Sequence, residues 1–268
     1  MSEKLRFCTL FSGSSGNCTY IRYGEDEILI DAGKNAKCIC KALEELGTSI
    51  ENIKSIFITH EHSDHTSALR VLVKGRSIPV YAPEGCRRKM QELCMGELRF
   101  CEVPFEQRVG AITVKSFKTP HDSDDSVGYI ADFGDYFVGV ATDMGCVEKG
   151  VVRELAGCRY ALIEANYDPE MLKCGVYPEY LKSRIASEEG HMSNTGAAML
   201  GTILLRTGTQ RVAFGHLSRE NNAPECVKHE MDKKLAEKGI KGDYLVAGRD
   251  CVTVIADEFS DKGEGARC

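Results

Sequence analysis

The sequence lacks several features that would mark a membrane, secreted or strongly basic protein. No apolar run reaches the roughly 18 residues that a membrane-spanning helix requires, so we expect no membrane partner. The first residues contain no basic region followed by an apolar stretch, so we expect no signal peptide and a cytoplasmic location. The formal net charge of −6 gives no global positive field, so any polyanion would have to be held by local groups.

Paired cysteine motifs are also missing, although the chain contains 13 cysteines. Their number is odd, no CxxC pair occurs, and several lie in apolar stretches, as Cys8 and Cys158 do. In a protein without export signals, such cysteines are typically reduced and pack as small hydrophobic side chains. We therefore predict free thiols rather than a disulfide framework.

The 268 residues suit one large domain, because no repeat, low-complexity tract or linker divides them. Strand-like segments form two clusters, each followed by helices, which predicts two sheets packed on each other with helices on both outer faces. Single helices are predicted over residues 34–46 and 66–74, and a hairpin turn at Gly134 and Asp135. We expect one domain over residues 1–268, with a polar, frayed tail over residues 257–268.

Six of the seven histidines lie in short polar clusters at the ends of predicted strands. The densest cluster, His60-Glu61-His62-Ser63-Asp64-His65, directly follows an apolar strand. Imidazole and carboxylate are natural ligands of zinc, iron and manganese. Because alternate residues of a loop can point the same way, His60 and His62 can share one metal, while Asp64 and His65 can hold a second.

Three further candidate ligands follow predicted strands later in the chain, namely His121, Asp143 and His216. Each alone would more often be structural, but together with the histidine cluster they favour metal binding. A carboxylate has two oxygens and can bridge two metals, a role that suits Asp143. The sequence therefore predicts a two-metal site, with His121 on the first ion, His216 on the second and Asp143 between them.

Four features follow one another in the chain: an HxHxDH run after an apolar strand, a later His, an Asp in a TDxG-like turn and a final His at a strand end. Together they resemble the metallo-β-lactamase superfamily, and the resemblance covers essentially the whole chain. The resemblance implies an α/β (α+β) fold, an αββα four-layer sandwich with two divalent ions (Zn, Mn or Fe) at one end of its sheets. His62 stands where flavodiiron oxygen reductases have Glu, which argues against that redox branch.

Four shorter motifs resemble the YycJ/WalJ/VicX proteins, bacterial members of the superfamily that are described as 5′-to-3′ DNA exonucleases. They lie at residues 11–18, 164–168, 190–194 and 215–222. The motifs around Glu164 and His191 also resemble those of tRNase Z, and PhnP-type phosphodiesterases carry a similar extra His. No insertion is long enough to be the cap domain of RNase J-type nucleases.

His191 is the expected general acid for the leaving oxygen, or a donor to a phosphate oxygen, and Glu164 can fix its tautomer by accepting a hydrogen bond. The alternative is that His191 merely enters a helix that Ser193 or Asn194 begins. In the predicted mechanism a metal-activated hydroxide attacks phosphorus in line, His191 assists the departing oxygen, and Asp64 both ligates a metal and accepts a proton.

Candidate substrate contacts are polar residues close to these motifs. The loop over residues 12–17 can present N–H groups and hydroxyls to a phosphate, or it is simply a tight turn between two strands. The arginines and asparagines can contact phosphates, although each one alone is more often a solvated surface group. The set is Ser12, Ser14, Ser15, Asn17, Arg184, Ser193, Asn194, Arg219 and Asn221.

The leading hypothesis is a metal-dependent phosphodiesterase with DNA as its partner and substrate, acting as a 5′-to-3′ exonuclease. The alternative is a hydrolase of cyclic phosphodiesters, thioesters or lactones that uses the same metals. A binding module without catalysis is disfavoured by the complete ligand set. The acidic net charge weighs against DNA, because phosphate contacts usually come from clustered Lys and Arg, and the one compact basic run is Arg87-Arg88-Lys89. The oligomeric state stays open.

Overall fold

The computed structural model describes residues 4–93 and 97–259. Within these residues the strands, numbered in chain order, are β1 Leu5–Gly13, β2 Gly16–Tyr23, β3 Asp26–Ile30, β4 Ile53–Phe57, β5 Val80–Pro83, β6 Leu98–Cys101, β7 Glu106–Val109, β8 Ile112–Lys118, β9 Val127–Asp132, β10 Phe137–Ala141, β11 Tyr160–Glu164, β12 Arg211–Gly215, β13 Asp243–Val246 and β14 Thr253–Asp257. The α-helices are α1 Ala36–Glu45, α2 Ser63–Thr66, α3 Leu69–Leu72, α4 Arg87–Leu93, α5 Lys149–Leu155, α6 Pro169–Cys174, α7 Glu179–Ile185, α8 Asn194–Arg206 and α9 Pro224–Lys238.

The strands form two mixed sheets. The first has the order β14-β1-β2-β3-β4-β5-β6, antiparallel from β14 to β3 and parallel from β3 to β6. The second has the order β13-β12-β11-β10-β9-β8-β7, in which β10 to β13 are parallel. Parallel neighbours bring their carboxyl ends to one edge of a sheet, which is where such sheets usually bind ligands.

The described residues cluster into two compact units. The first comprises residues 4–93, 97–116, 123–127 and 248–259, and the second comprises residues 117–122 and 128–247. A compact unit need not fold on its own. The expectation of one domain over residues 1–268 therefore stays a prediction.

In the first unit, α1, α3 and α4 pack on one face of the first sheet. Leu29 and Ile56 point to that face and cluster with Leu43 of α1. Ile30 and Phe57 alternate with them, point to the other face and are also buried. Strands that are apolar on both faces are typical of parallel sheets, and they explain the continuous apolar runs in the sequence.

The single helix predicted over residues 66–74 is wrong in its bounds and in its continuity. The chain instead forms α2 and α3, which begin at Ser63 and Leu69. The break occurs because the N–H of Ala68 donates to the carbonyl of Ala32, 2.9 Å away, instead of continuing the α2 ladder. The short elements β6, β7 and α6 were not predicted, since the two strands are half exposed and show little apolar alternation.

In the second unit, α5, α8 and α9 pack on one face of the second sheet. Phe214 of β12 is fully buried among Leu155, Leu200 and Met231 from the three helices. A Cβ on Gly201 would lie 2.9 Å from the ring of Phe214, so glycine lets α8 approach the sheet closely. The hairpin predicted at Gly134 is confirmed, because β9 and β10 are antiparallel and Gly134 has a φ of 93°.

The frayed tail predicted from Asp257 is wrong for its first three residues. Asp257 ends β14 and forms an ion pair with Arg6 at 3.2 Å. The N–H of Glu258 donates to the carbonyl of Leu5 at 2.8 Å, and Phe259 lies beneath the guanidinium of Arg22. The rest of the predicted tail, residues 260–268, lies outside the described residues.

All eleven cysteines within the described residues are free, so the prediction of free thiols is confirmed for them. None of the helices in the same residues is long and apolar enough to cross a membrane.

The buried ring of Phe214 gives a test of the second core. Phe214→Ala should lower the free energy of unfolding by about 3–5 kcal/mol, since it leaves a cavity beneath α8. Urea denaturation followed by circular dichroism would measure this loss. Met199→Ala, at a position of α8 that is 46% exposed, is the control and should cost less than about 0.5 kcal/mol. Equal losses in the two variants would contradict the described packing.

Candidate metal-binding residues

The histidine motif of the first unit lies just beyond the carboxyl end of β4. His60 Nε2 and His62 Nδ1 are 3.0 Å apart, so the two nitrogens converge on one point. The rings of His60 and His65 also lie side by side, with centroids 4.2 Å apart. His60 and His65 are completely buried, whereas Asp64 is partly exposed. This arrangement gathers four groups that can ligate a metal on one short loop.

Asp31 orients this loop, and the sequence patterns do not single it out. It follows β3, and its carboxylate accepts hydrogen bonds from the N–H of Thr59 and from Nδ1 of His65, both at 2.8 Å. With Nδ1 as the donor, His65 carries its lone pair on Nε2, the nitrogen available to a cation. The sequence predicts Asp143 as a metal ligand because its carboxylate comes directly after a buried strand. The same signal applies equally to Asp31.

Asn17 is the residue of the β1–β2 hairpin that reaches the motif. Its Nδ2 lies 3.0 Å from His65 Nε2 and 3.4 Å from the carboxylate of Asp64. Its Oδ1 accepts a hydrogen bond from the N–H of Gly13 at 3.0 Å. Asn17 is 5% exposed, so the structure places it against the candidate ligands rather than on the surface.

The serines predicted with Asn17 lie in the hairpin itself. Ser12 is buried within β1, while Ser14 and Ser15 are exposed and form the two-residue turn. The hydroxyl of Ser15 accepts a hydrogen bond from Lys34 Nζ at 3.1 Å. Residues 12–17 thus form a tight turn between β1 and β2, and contact of this turn with a phosphate stays a prediction.

Gly33 allows the backbone of the motif to approach the loop after β3. A Cβ at Gly33 would lie 1.5 Å from the carbonyl oxygen of Asp64, which no side chain can tolerate. The N–H of Gly33 donates to the carbonyl of Asn17 at 2.8 Å. Glycine at this position therefore sets the distance between Asp64 and Asn17.

Glu61, between His60 and His62, binds a different set of groups. Its carboxylate accepts hydrogen bonds from Lys89 of α4 at 2.6 Å and from Ser123 at 2.9 Å. Burial alone would raise the pKa of Glu61, but these hydrogen bonds, led by that of Lys89, lower it to about 2. Glu61 is thus an anionic anchor that holds the middle of the motif to α4 and to the segment after residue 122.

In the second unit, candidate ligands lie at the ends of adjacent parallel strands. Asp143 comes two residues after β10, Glu164 ends β11, and His216 directly follows β12. One carboxylate oxygen of Asp143 lies 3.2 Å from His216 Nδ1 and 3.8 Å from His121 Nε2. The carboxylate of Asp143 therefore lies between two imidazoles.

His121 is oriented by a backbone carbonyl. Its Nδ1 donates to the carbonyl oxygen of Gly190 at 2.9 Å, so the lone pair of the ring is on Nε2. The adjacent Asp122 forms an ion pair with Arg184, whose side chain is 59% exposed. Arg184, which is predicted to bind phosphate, therefore contacts the residue that follows His121 in the chain.

Glu164 is completely buried and accepts four hydrogen bonds. One oxygen accepts hydrogen bonds from Nδ1 of His191 at 2.7 Å and from Nδ1 of His216 at 2.9 Å. The other accepts hydrogen bonds from the backbone N–H groups of Met144 and Met192, at 2.8 and 3.2 Å. Four donors occupy the carboxylate, so Glu164 acts as a hydrogen-bond acceptor rather than as a metal ligand.

The Glu164–His191 pair also shifts the pKa values of both groups. Burial alone would raise the pKa of Glu164, but the nearby His191 and His216 lower it. Burial alone would lower the pKa of His191, but the charge and hydrogen bond of Glu164 raise it above its ordinary value. The pair therefore favours a carboxylate beside a protonated imidazole.

Three residues that are not glycine have a positive φ in the described part of the chain: Asp31, Asp143 and His216, at 64°, 59° and 55°. This left-handed conformation is uncommon for residues with a side chain and costs on the order of 1 kcal/mol each. All three follow strands and face the candidate ligand clusters of their own units. Such strain typically marks functional positions, because it directs a side chain that regular backbone would not.

Three residues that are predicted to contact substrate are built into the fold. The hydroxyl of Ser193 caps α8 by accepting the N–H of Gly196 at 3.2 Å. Asn194 exchanges two side-chain amide hydrogen bonds with Asn222, and Asn221 is 1% exposed. Substrate contacts by these three residues stay predictions. Arg219 is exposed at the loop after β12.

Comparison with known proteins identifies the family. Residues 26–217 match the family model described as a β-lactamase superfamily domain. The chain is 32% identical to exodeoxyribonuclease YycJ of Bacillus anthracis over 245 residues, covering 88% of this chain and 90% of that one. It is 33% identical to exodeoxyribonuclease WalJ of Streptococcus pneumoniae serotype 2 over 255 residues, covering 92% and 95%. The chain belongs to the β-lactamase superfamily.

A solved structure agrees with this membership. The crystal structure of the metallo-β-lactamase fold protein YhfI from Bacillus subtilis matches with a TM-score of 0.73, covering 94% of this chain and 99% of that one at 15% identity. The predicted metallo-β-lactamase fold and its α/β class are thus confirmed, as is the predicted resemblance to YycJ and WalJ. The superfamily member described here is a metal-dependent hydrolase.

The anchoring role of Glu61 can be measured in metal-free protein. Glu61→Gln should lower the free energy of unfolding by about 1–3 kcal/mol, because it removes a buried charge that Lys89 and Ser123 bind. Guanidinium denaturation in EDTA at neutral pH would report the loss. The matched control is Glu51→Gln, which breaks the exposed pair with Arg76 at 2.8 Å and should leave the midpoint unchanged. An unaltered midpoint for Glu61→Gln would show that the anchor is unimportant.

Proposed function

We propose that this hydrolase is a two-metal phosphodiesterase that degrades DNA from the 5′ end. The observation that carries the proposal is the hydrogen bond of 2.7 Å between Glu164 and His191, with His191 Nδ1 also 3.7 Å from Asp143. Hydrolysis of an alkyl phosphodiester must protonate a strongly basic alkoxide, which hydrolysis of a thioester does not require, because a thiolate is a much weaker base. Two relatives named exodeoxyribonucleases support DNA as the substrate.

The proposed metal ligands number seven. His60, His62 and His121 hold the first ion, Asp64, His65 and His216 hold the second, and Asp143 is shared. The pairing of His60 with His62 at 3.0 Å, and the place of Asp143 between two imidazoles, support this division. The ions are divalent and are zinc, manganese or iron, which all accept nitrogen and carboxylate oxygen.

The donor set fits such ions. A metal-binding histidine typically donates its other ring N–H to an oxygen, which fixes its tautomer. Three of the proposed ligands follow this pattern with Nδ1 as the donor, namely His65 to Asp31, His121 to the carbonyl of Gly190, and His216 to Glu164. In all three the lone pair is therefore on Nε2.

When bound, such ions would lower the pKa of a ligated water and offset negative charge on the phosphate. The residues of this chain supply the proton and the orientation. The side chain of His191 is 25% exposed while that of Glu164 is fully buried, so His191 is the member of the pair that a substrate can touch. Glu164 holds Nδ1 and stabilises the imidazolium, and Nε2–H then protonates the leaving oxygen.

Two further groups complete the proposal. Asp64, a proposed ligand, also accepts a proton from the attacking water, since its carboxylate is partly exposed on α2. Arg184 contacts a phosphate oxygen from the exposed side of its pair with Asp122, and Arg219 is a second candidate for this contact.

The first experiment joins metal content to DNA cleavage. Purified protein loaded with manganese or zinc should contain two ions per chain and should shorten duplex DNA from the 5′ end. Elemental analysis and duplexes labelled at one end, 5′ or 3′, would measure both. His62→Ala should lose metal and activity together. Fast turnover of a cyclic or small phosphodiester without any DNA digestion would instead favour the small-molecule hydrolase, to which the net charge of −6 is better suited.

The acid role of His191 has a separate test. His191→Ala should retain both metals and lose about 10²- to 10⁴-fold in kcat on DNA, whose leaving alkoxide is basic. Its loss on a p-nitrophenyl phosphodiester should be much smaller, because that leaving group needs no proton. His229→Ala, at an exposed histidine of α9, is the control and should leave both rates unchanged. Equal losses on the two substrates would refute the acid role.

A further inference from the structure

The first unit carries a basic cavity apart from the candidate metal ligands. Its volume is about 630 Å³, and it is lined mainly by polar residues around the end of α3. Three of these are cationic, namely Arg70, Lys74 and Arg76, and the lining also includes Ser77 and Glu97. The volume is large enough to admit a phosphate with its sugar.

Two of the three cations are uncompensated. Arg76 is neutralised by Glu51 at 2.8 Å, and Glu97 is paired with Arg99. Arg70 and Lys74 form no ion pair with any residue in the described ranges, and both are exposed. Arg70 lies on α3 and Lys74 lies in the turn that follows it, and both line this cavity. A chain with a net charge of −6 thus presents two adjacent, unneutralised positive charges at one cavity.

The cavity lies at the opposite edge of the first sheet from the histidine motif. Ser77 and Glu97 precede the parallel strands β5 and β6, whereas Thr59 follows the carboxyl end of β4. The chain from Ile53 to Thr59 advances by about 20 Å at the usual rise of a strand. Arg70 comes five residues after His65, so at most about 18 Å of chain separates these two residues.

We propose that Arg70 and Lys74 bind the backbone of duplex DNA beyond the bond that is cut. The inference rests on the proposed function and adds to it a place where the uncut duplex is held. Each phosphate that a cation neutralises releases condensed counterions, so the contact strengthens binding at low salt without regard to base sequence. The two side chains then supply locally the positive charge that the chain as a whole lacks.

The test measures how DNA affinity depends on salt. Binding of a fluorescein-labelled 20-base-pair duplex is followed by anisotropy in EDTA, for the wild type and for Arg70→Ala/Lys74→Ala. The slope of log affinity against log salt should fall by about 1.8, or 0.9 for each lost phosphate contact. At 0.1 M salt the double variant should bind roughly 60-fold more weakly than the wild type, and the two should converge near 1 M.

Two controls separate an anchor from a change of fold or of the metal site. Lys228→Ala/Lys238→Ala, at two exposed lysines of α9, should keep the wild-type slope. All three proteins should hydrolyse a thymidine dinucleotide at the same rate, because a dinucleotide has no uncut duplex for the two side chains to hold, and they should share one unfolding midpoint. Arg70→Glu/Lys74→Glu should weaken duplex binding further than the alanine pair does.

The outcomes distinguish this inference from the proposed function. If the wild type neither binds nor cleaves duplex DNA, both fail together. If the wild type degrades duplex DNA and Arg70→Ala/Lys74→Ala retains its salt slope and affinity, the anchor alone is wrong. A slower rate on the dinucleotide in that variant would also overturn the inference, since it would place the two side chains at the site of cleavage instead.

Discussion

The buried carboxylate of Glu164 is the constraint on which the second unit's candidate site depends. A completely buried negative charge is tolerated only where donors surround it, and here two backbone N–H groups and two imidazoles do so. These four hydrogen bonds fix the turn after β10, the entry to α8 and the rings of His191 and His216 relative to one carboxylate. Replacing the carboxylate would therefore disturb a proposed ligand, His216, and the proposed proton donor, His191, at once, so Glu164 is a positioning residue for both in that proposal.

The first unit uses the same principle with Asp31. A carboxylate at a strand end accepts the Nδ1 proton of a histidine, and this selects the tautomer that offers Nε2 to a cation. Asp31 is held in the left-handed region, as are Asp143 and His216, so the backbone is strained where these side chains must point away from the strand direction. Hydrogen bonding and backbone strain together prepare the histidines before any ion arrives, which lowers the cost of ordering them on binding.

The sequence predicted the fold and the candidate ligands because their signals are local. Four candidate ligands fall within the six residues of the motif, and the other three each follow a strand. What it did not predict depends on partners that are distant along the chain. Asp31 meets His65 across 34 positions, and Glu61 meets Ser123 across 62. Asn194 likewise exchanges hydrogen bonds with Asn222 across 28 positions, a pairing that no local pattern predicts.

An acidic chain and a polyanionic substrate are compatible when charge is considered locally. Exposed charges more than about 10 Å apart are largely screened at 0.1 M salt, so a phosphate responds to its nearest groups and not to the total of −6. Many acidic side chains here are already neutralised within the fold, as Glu51 is by Arg76 and Glu61 is by Lys89. The field near a bound strand is therefore set by the few charges that remain unpaired beside its path. At the end of α3 those charges are positive, and the buried Glu164 raises the pKa of His191, which favours the cationic form of its ring.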